Sequence, residues 1–256
     1  MKGVIFYSGK EVCELIRSKR LFIFTTVFLL VGLMNPAIAK FIPLIMEMEK
    51  ETFQAMGLTV SEIEVTALDS WLQFSKNIPI AIIIVLIMFS GICTSEYESG
   101  SLIPLLTKGL SRSSVIISKF MIMLITWSLG ELICFGTTYL YSAYYWDNSV
   151  VKDILFANFV TWLFGVFIIS CIVFFSSFVS SAGQVILSVG AVYVSFSIIG
   201  MFSKAKEYLP NRLIDSASIF KGDLIPSDFI TSAVITIGLS IFLVVLAFPI
   251  TYRRQM

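Results

Sequence analysis

Residues 96–119 read EYESGSLIPLLTKGLSRSSVIISK, and they interrupt long apolar runs with five charges, two glycines and a proline. The spacing predicts a short helix from Leu102 to Lys108. Ser101 stands at its N-cap. Pro104 falls in the first turn, where the missing N–H costs little. Lys108 lies in the last turn, where the helix dipole favours a cation, and Gly109 takes the position just past the end. Ser111 or Ser113 then caps a following helix. Leu102, Leu105 and Leu106 recur at i, i+3 and i+4, which gives one apolar face. A helix only about 10 Å long is not stable alone, so it needs a surface to lie on. That surface is the chain's own helix ends, lipid headgroups, or the groove of a cytoplasmic partner.

The flanks decide the class. Of 256 residues, 57% are hydrophobic and only 14% charged, against about 25% charged in an ordinary soluble domain. A helix crossing the ~30 Å hydrocarbon core needs about 20 apolar residues, and hydrocarbon leaves backbone polar groups no partner outside a helix. The apolar runs, the third of them uncharged from Phe120 to Trp146 except for Glu131, predict six spans, at 21–39, 77–95, 114–146, 154–178, 184–203 and 229–252. The fourth and fifth come from one 50-residue run, divided at the polar patch SSFVSSAGQ (Ser176 to Gln184). No internal repeat or linker appears, so residues 1–256 form a single transmembrane domain.

Lysine and arginine set the expected orientation. The N-terminal tail holds Lys2, Lys10, Arg17, Lys19 and Arg20, the opening stretch adds Lys108, Arg112 and Lys119, and the end adds Arg253 and Arg254. Six spans place all three segments on one side, which is read as cytoplasmic. The loop from Lys40 to Lys76, with six acids against three lysines, then faces out. Four basic residues in the last outer loop fit this less well, though four acids offset them. Glu11 and Glu14 argue against a cleaved leader ending at Ala39. Gly9 to Arg20 puts Val12, Leu15 and Ile16 on one face, as in a helix lying in the membrane interface. Asn35-Pro36 and Pro43 predict a kink or an early end to the first span. Tyr139, Tyr141, Tyr144, Tyr145 and Trp146 form an interfacial aromatic belt.

Several chemistries are excluded or unsupported. With no histidine, imidazole bases, His-ligated zinc and His-held haem are impossible. Cys13, Cys93, Cys134 and Cys171 lack CxxC spacing and read as packing residues. A net charge of +1 points to no nucleic acid. No catalytic, cofactor-binding or metal-ligating set emerges. Glu131 is the one acid inside a span, with no lysine or arginine in the apolar runs to pair with it. An intramembrane acid is a functional candidate by default; otherwise it is a packing residue hydrogen-bonded to Ser or Thr of neighbouring helices.

The opening stretch resembles the cytoplasmic loop between the second and third spans of type-2 ABC transporter permeases, the ABC-2 family. Their pattern there is a Glu, a residue, Gly and a small hydroxyl residue, then a Leu-Leu pair, a Ser-Arg and a later Lys. Here it is Glu98-Ser99-Gly100-Ser101, Leu105-Leu106, Ser111-Arg112 and Lys119. Lys108-Gly109-Leu110 departs from it, since a proline is common before the Ser-Arg pair. The run EVCELIRSKRLFIF (Glu11 to Phe24) and the order of six spans are also similar to the family. The resemblance implies the membrane half of an exporter that works as a dimer, with a second copy or a paralogue. Two cytoplasmic ATP-binding cassette subunits dock beneath it, and the short helix couples their closure to the third span. Glu96, Glu98, Gly100, Leu102, Leu105, Leu106, Ser111, Arg112 and Lys119 are the coupling residues on this reading. The leucines contact the partner or the bundle, and Arg112 and Lys119 pair with Glu96 and Glu98 or with headgroups. No Gly-x4-Gly-Lys-Ser/Thr loop is present, so ATP and Mg belong to the partner ATPase and the chain is a transport subunit of the plasma membrane, not an enzyme. The rival readings are an ion-coupled secondary transporter or channel relying on Glu131, and a membrane enzyme. An amphipathic or hydrophobic substrate is expected, and the last outer loop, with LPNRLID and a KGD turn, is read equally as exposed or as short helices closing the outer mouth.

Overall fold

The computed structural model of the chain describes residues 2–48 and 64–253. The described residues form ten α-helices and no strand. In order they are α1 (Lys2–Arg17), α2 (Arg20–Met48), α3 (Ala67–Glu98), α4 (Ile103–Thr107), α5 (Arg112–Tyr145), α6 (Ile154–Ser176), α7 (Ala182–Ile199), α8 (Ser203–Lys206), α9 (Ser216–Lys221) and α10 (Ile230–Arg253). Among them α2, α3, α5, α6, α7 and α10 are long and apolar enough to cross a membrane. The protein is an all-α integral membrane protein.

Caps, not the limits of the apolar runs, decide where these helices end. α3 begins at Ala67, ten residues before its uncharged run, because Thr66 and Asp69 close a capping box. The Thr66 backbone N–H donates to Asp69 Oδ2 at 2.9 Å. The long apolar run divides between Ser176 and Ala182, where Ser181 and Gln184 make a second capping box. α7 stops at Ile199, four residues short of the expected 203.

α2 corrects an expectation. It neither ends at Asn35-Pro36 nor at Pro43 but runs on to Met48. Pro36 has no N–H for the Gly32 carbonyl four residues earlier. The Thr138 hydroxyl, from α5, donates to that carbonyl at 3.0 Å. Asn35 Nδ2 donates to Thr138 Oγ1 at 2.9 Å, and Asn77 Nδ2 of α3 donates to Asn35 Oδ1 at 2.6 Å. A directed relay of neutral groups thus ties α2, α3 and α5. Gly32 permits the approach, since a Cβ there would lie 2.7 Å from the Cys134 carbonyl oxygen.

α6 is the central helix, packed against α3, α5, α7 and α10. Its Gly165 leaves room for Trp127, whose ring atoms would lie 2.2 Å from a Cβ. Trp127 Nε1 donates to the Trp162 carbonyl at 3.0 Å, and Trp162 Nε1 to Ser128 Oγ at 2.9 Å. Both indole N–H groups are therefore satisfied in an apolar setting.

The segment between α7 and α10 is folded into the bundle rather than exposed. It comprises α8, a 3-10 turn (Pro210–Ile214), α9 and a second 3-10 turn (Pro226–Phe229). Leu213, Ile219, Phe220 and Phe229 are buried in the main core. Phe220 packs 5.5 Å from Trp71, and Ser216 Oγ donates to Ser75 Oγ at 2.8 Å. Of the aromatic belt, Tyr139, Tyr144 and Tyr145 are exposed, and the Lys40 ammonium sits 3.7 Å from the Tyr145 ring centre. Residues 49–63 of the acidic loop, with Glu49, Glu51 and Glu62, lie outside the described residues.

Candidate functional site

The short helix exists, one residue narrower at each end than its sequence predicts. α4 spans Ile103–Thr107, and Leu102, not Ser101, occupies the N-cap without a side-chain bond. Ser101 Oγ instead accepts from the Ser99 hydroxyl at 3.0 Å. The chain enters through Gly100 and leaves through Gly109, with φ of +65° and +93°, a region that disfavours a side chain. Ser111 caps α5, accepting from the Ser114 N–H at 3.2 Å.

α4 has two different faces. Leu102 is fully buried in a small cluster with Tyr7 and Val115, and Leu105 and Leu106 pack against it. The three leucines therefore seat α4 on its own bundle. Ile103, 46% exposed, and the exposed Pro104, Thr107 and Lys108 form the outward face.

Beneath that seat lies a buried cluster of charges. Glu96, at the end of α3, is 6% exposed, and Lys119, on the third turn of α5, is 2% exposed. Lys119 Nζ lies 2.7 Å from Glu96 Oε2 and 3.4 Å from Glu11 Oε1, and it donates to the Ile92 carbonyl at 2.6 Å. Lys10 Nζ also donates to Glu96 Oε1, and the Tyr7 hydroxyl donates to Glu96 Oε2. Lys10 reaches Glu14 at 3.3 Å. Burial, then the Glu11 and Glu96 carboxylates, push the Tyr7 phenol far above its ordinary range, so it stays a donor. Burial is the largest single influence on Lys10 and opposes its charged form, but the hydrogen bond to Glu96 and the charges of Glu96, Glu11 and Glu14 together raise the ammonium's pKa.

Carboxylate atoms of Glu11, Glu14 and Glu96 converge within 4.8 Å. Oxygen clusters of that size suit hard cations, but here two ammonium groups, Lys10 and Lys119, already stand among them. The arrangement binds helices to one another: α1, α3 and α5 meet on it, and Tyr7 links it directly to the seat of α4.

The remaining predicted residues fall elsewhere. Arg112 does not turn to Glu96. Its Nη1 donates to the Thr251 and Tyr252 carbonyls at 2.7 and 3.0 Å, at the C-terminal end of α10, where orphan carbonyls and the helix dipole favour a cation. Glu98 closes α3, and its side chain is outside the described residues. Glu131 is 3% exposed and lies twelve residues past Lys119 on α5, about 18 Å along the helix. Its Oε1 has no hydrogen-bond partner among the described residues, so the Ser or Thr bonds expected for it are not made there.

Sequence reasoning missed Tyr7, Lys10 and Glu11. It grouped Val12, Leu15 and Ile16 on one apolar face of an interfacial helix; Val12 and Ile16 are exposed together with Ile5 and Phe6, while Leu15 is buried. The buried face is Tyr7, Glu11 and Leu15, at i, i+4 and i+8. That spacing was the available signal, hidden because an acid on a helix is ordinarily read as facing water.

A search among curated proteins finds no match. The family profile described as "ABC-2 family transporter protein" matches residues 7–211, a stretch that opens on Tyr7 and contains Glu96, α4 and Lys119. It covers most of the chain, which therefore belongs to the ABC-2 transporter family and is a membrane transport subunit.

Proposed function

We propose that the chain is the permease of an ATP-driven exporter in the plasma membrane, paired with a second copy or a paralogue. Two separate ATP-binding cassette subunits supply ATP and Mg and dock on the α4 end, which faces the cytoplasm with both termini. The observation that carries this reading is the two-faced α4. Its outer face is exposed, while its inner face rests on a cluster that joins three helices. A push on such a helix moves α1, α3 and α5 together, because ion pairs in low dielectric are costly to separate.

Mild-detergent purification with mass spectrometry and an ATPase assay tests it. A stoichiometric P-loop ATPase is expected with the wild type. Ile103→Asp alters only the exposed face and is expected to release the ATPase while leaving insertion intact. Leu106→Asp is expected to uncouple transport from hydrolysis by unseating α4. Full retention of the ATPase and normal transport in both variants would sink the docking idea.

The secondary-transporter reading has one observation behind it, the unpartnered Oε1 of Glu131. Export by Glu131→Gln at the wild-type rate would remove that residue from the mechanism.

A further inference from the structure

Two buried oxygens on neighbouring helices lack a donor among the described residues: Glu131 Oε1 on α5 and Asn158 Oδ1 on α6. The register of the two helices brings them to one level. Trp127 Nε1 donates to the Trp162 carbonyl and Trp162 Nε1 to Ser128 Oγ, so residues 127–128 of α5 stand against residue 162 of α6. These are consecutive spans and run antiparallel. Glu131 lies one turn beyond Trp127, and Asn158 lies one turn before Trp162. Residues four apart share a helix face, so both side chains belong to the α5–α6 contact.

The donors around this level are already used. Both indole N–H groups are committed to the bonds that set the register. The Ser128 hydroxyl donates to the Leu124 carbonyl at 2.8 Å, and the Thr161 hydroxyl donates to the Ala157 carbonyl at 2.9 Å. The next titratable side chain along α5, Cys134, is a buried thiol and makes no bond to Oε1. No ion pair reaches Glu131 among the described residues.

A carboxylate only accepts hydrogen bonds, and so does an amide oxygen. As two acceptors they cannot satisfy each other. Turning the Asn158 amide over would offer Oε1 one neutral N–H, but the charge would stay buried with no cation beside it, which is costly. Hard metal ions gather about six or more oxygens, and the unpartnered ones at this level are these two. A single proton on Oε1 answers both demands. The acid's O–H becomes the missing donor, and Asn158 Oδ1 becomes its acceptor.

We propose that Glu131 is a proton-binding site inside the membrane, holding a proton on Oε1 and donating it to Asn158 Oδ1. The bond ties α5 to α6 and places no charge in hydrocarbon. α5 then carries an ionised contact near its start, at Lys119, and a neutral acid near its middle.

Infrared spectroscopy of the full chain at neutral pH tests this, in maltoside detergent, which has no carbonyl of its own. The difference between the wild type and Glu131→Gln is expected to contain the C=O band of a protonated carboxyl. That band should lie below the free-acid position, because its O–H is bonded. Asn158→Leu is expected to keep the band and move it up to the free-acid position. The first comparison leaves Asn158 in place, and glutamine keeps a donor at position 131, so it stands even if Asn158→Leu misfolds. Absence of the band from the difference overturns the proposal. So does a wild-type band already at the free-acid position, or one that Asn158→Leu leaves unmoved. Loss of the band when sodium chloride replaces choline chloride would make this a sodium site and overturn it too.

Discussion

The two ends of the bundle hold α3 and α5 together by opposite means. At the α4 end, ionised groups do it: Glu96 and Lys119, with Glu11, Lys10 and Tyr7 from α1. At the other end the work falls to amides and a hydroxyl, Asn77, Asn35 and Thr138, with α2 as the third helix. A neutral relay loses one or two uncharged bonds when one member is removed. A buried charge cluster loses more, because each deletion strands an uncompensated ion. The α4 end is thus the brittle one, suited to moving as a unit. The opposite end tolerates loss.

Three substitutions test this contrast, from the largest effect down. Lys119→Met leaves Glu96 and Glu11 with only Lys10 and is expected to cost about 3–5 kcal/mol. Thermal unfolding in detergent, followed by size-exclusion chromatography, reads this directly. Tyr7→Phe removes one bond to a carboxylate and is expected to cost about 1.5–3 kcal/mol. Its combination with Lys119→Met should be non-additive, since both act on Glu96. Asn35→Leu breaks two neutral bonds and is expected to cost about 1–2 kcal/mol. If Asn35→Leu proves as damaging as Lys119→Met, the contrast between the ends fails.

What the sequence disclosed follows from how local each feature is. Gly109, the Ser111 cap and the apolar spacing of α4 are matters of neighbouring residues, so α4 could be read directly. The Glu96–Lys119 pair was one of the options the sequence left open. The other half of that cluster was hidden, because α1 buries charged residues and exposes apolar ones, the reverse of the usual pattern in water. The passage of α2 through Pro36 was hidden too, since the donor that replaces the lost bond comes from Thr138, over a hundred residues away. Arg212 looked like one more basic residue in a loop. Only the folding of that loop into the core makes its burial visible.

The charge cluster also bears on how the protein is made. Chains emerge N-terminus first, so α1 and α3 are complete before any of α5 exists. At that point Glu11, Glu14 and Glu96 are synthesised, and Lys10 is the only one of the two cluster lysines present. Lys119 arrives twenty-three residues after Glu96 and supplies the missing cation. Until α5 is threaded, Tyr7 and Lys10 of the first helix are the cluster's only partners for Glu96 among the described residues. A chain truncated before Lys119 sets the three carboxylates of the cluster against one lysine, where the finished chain sets them against two.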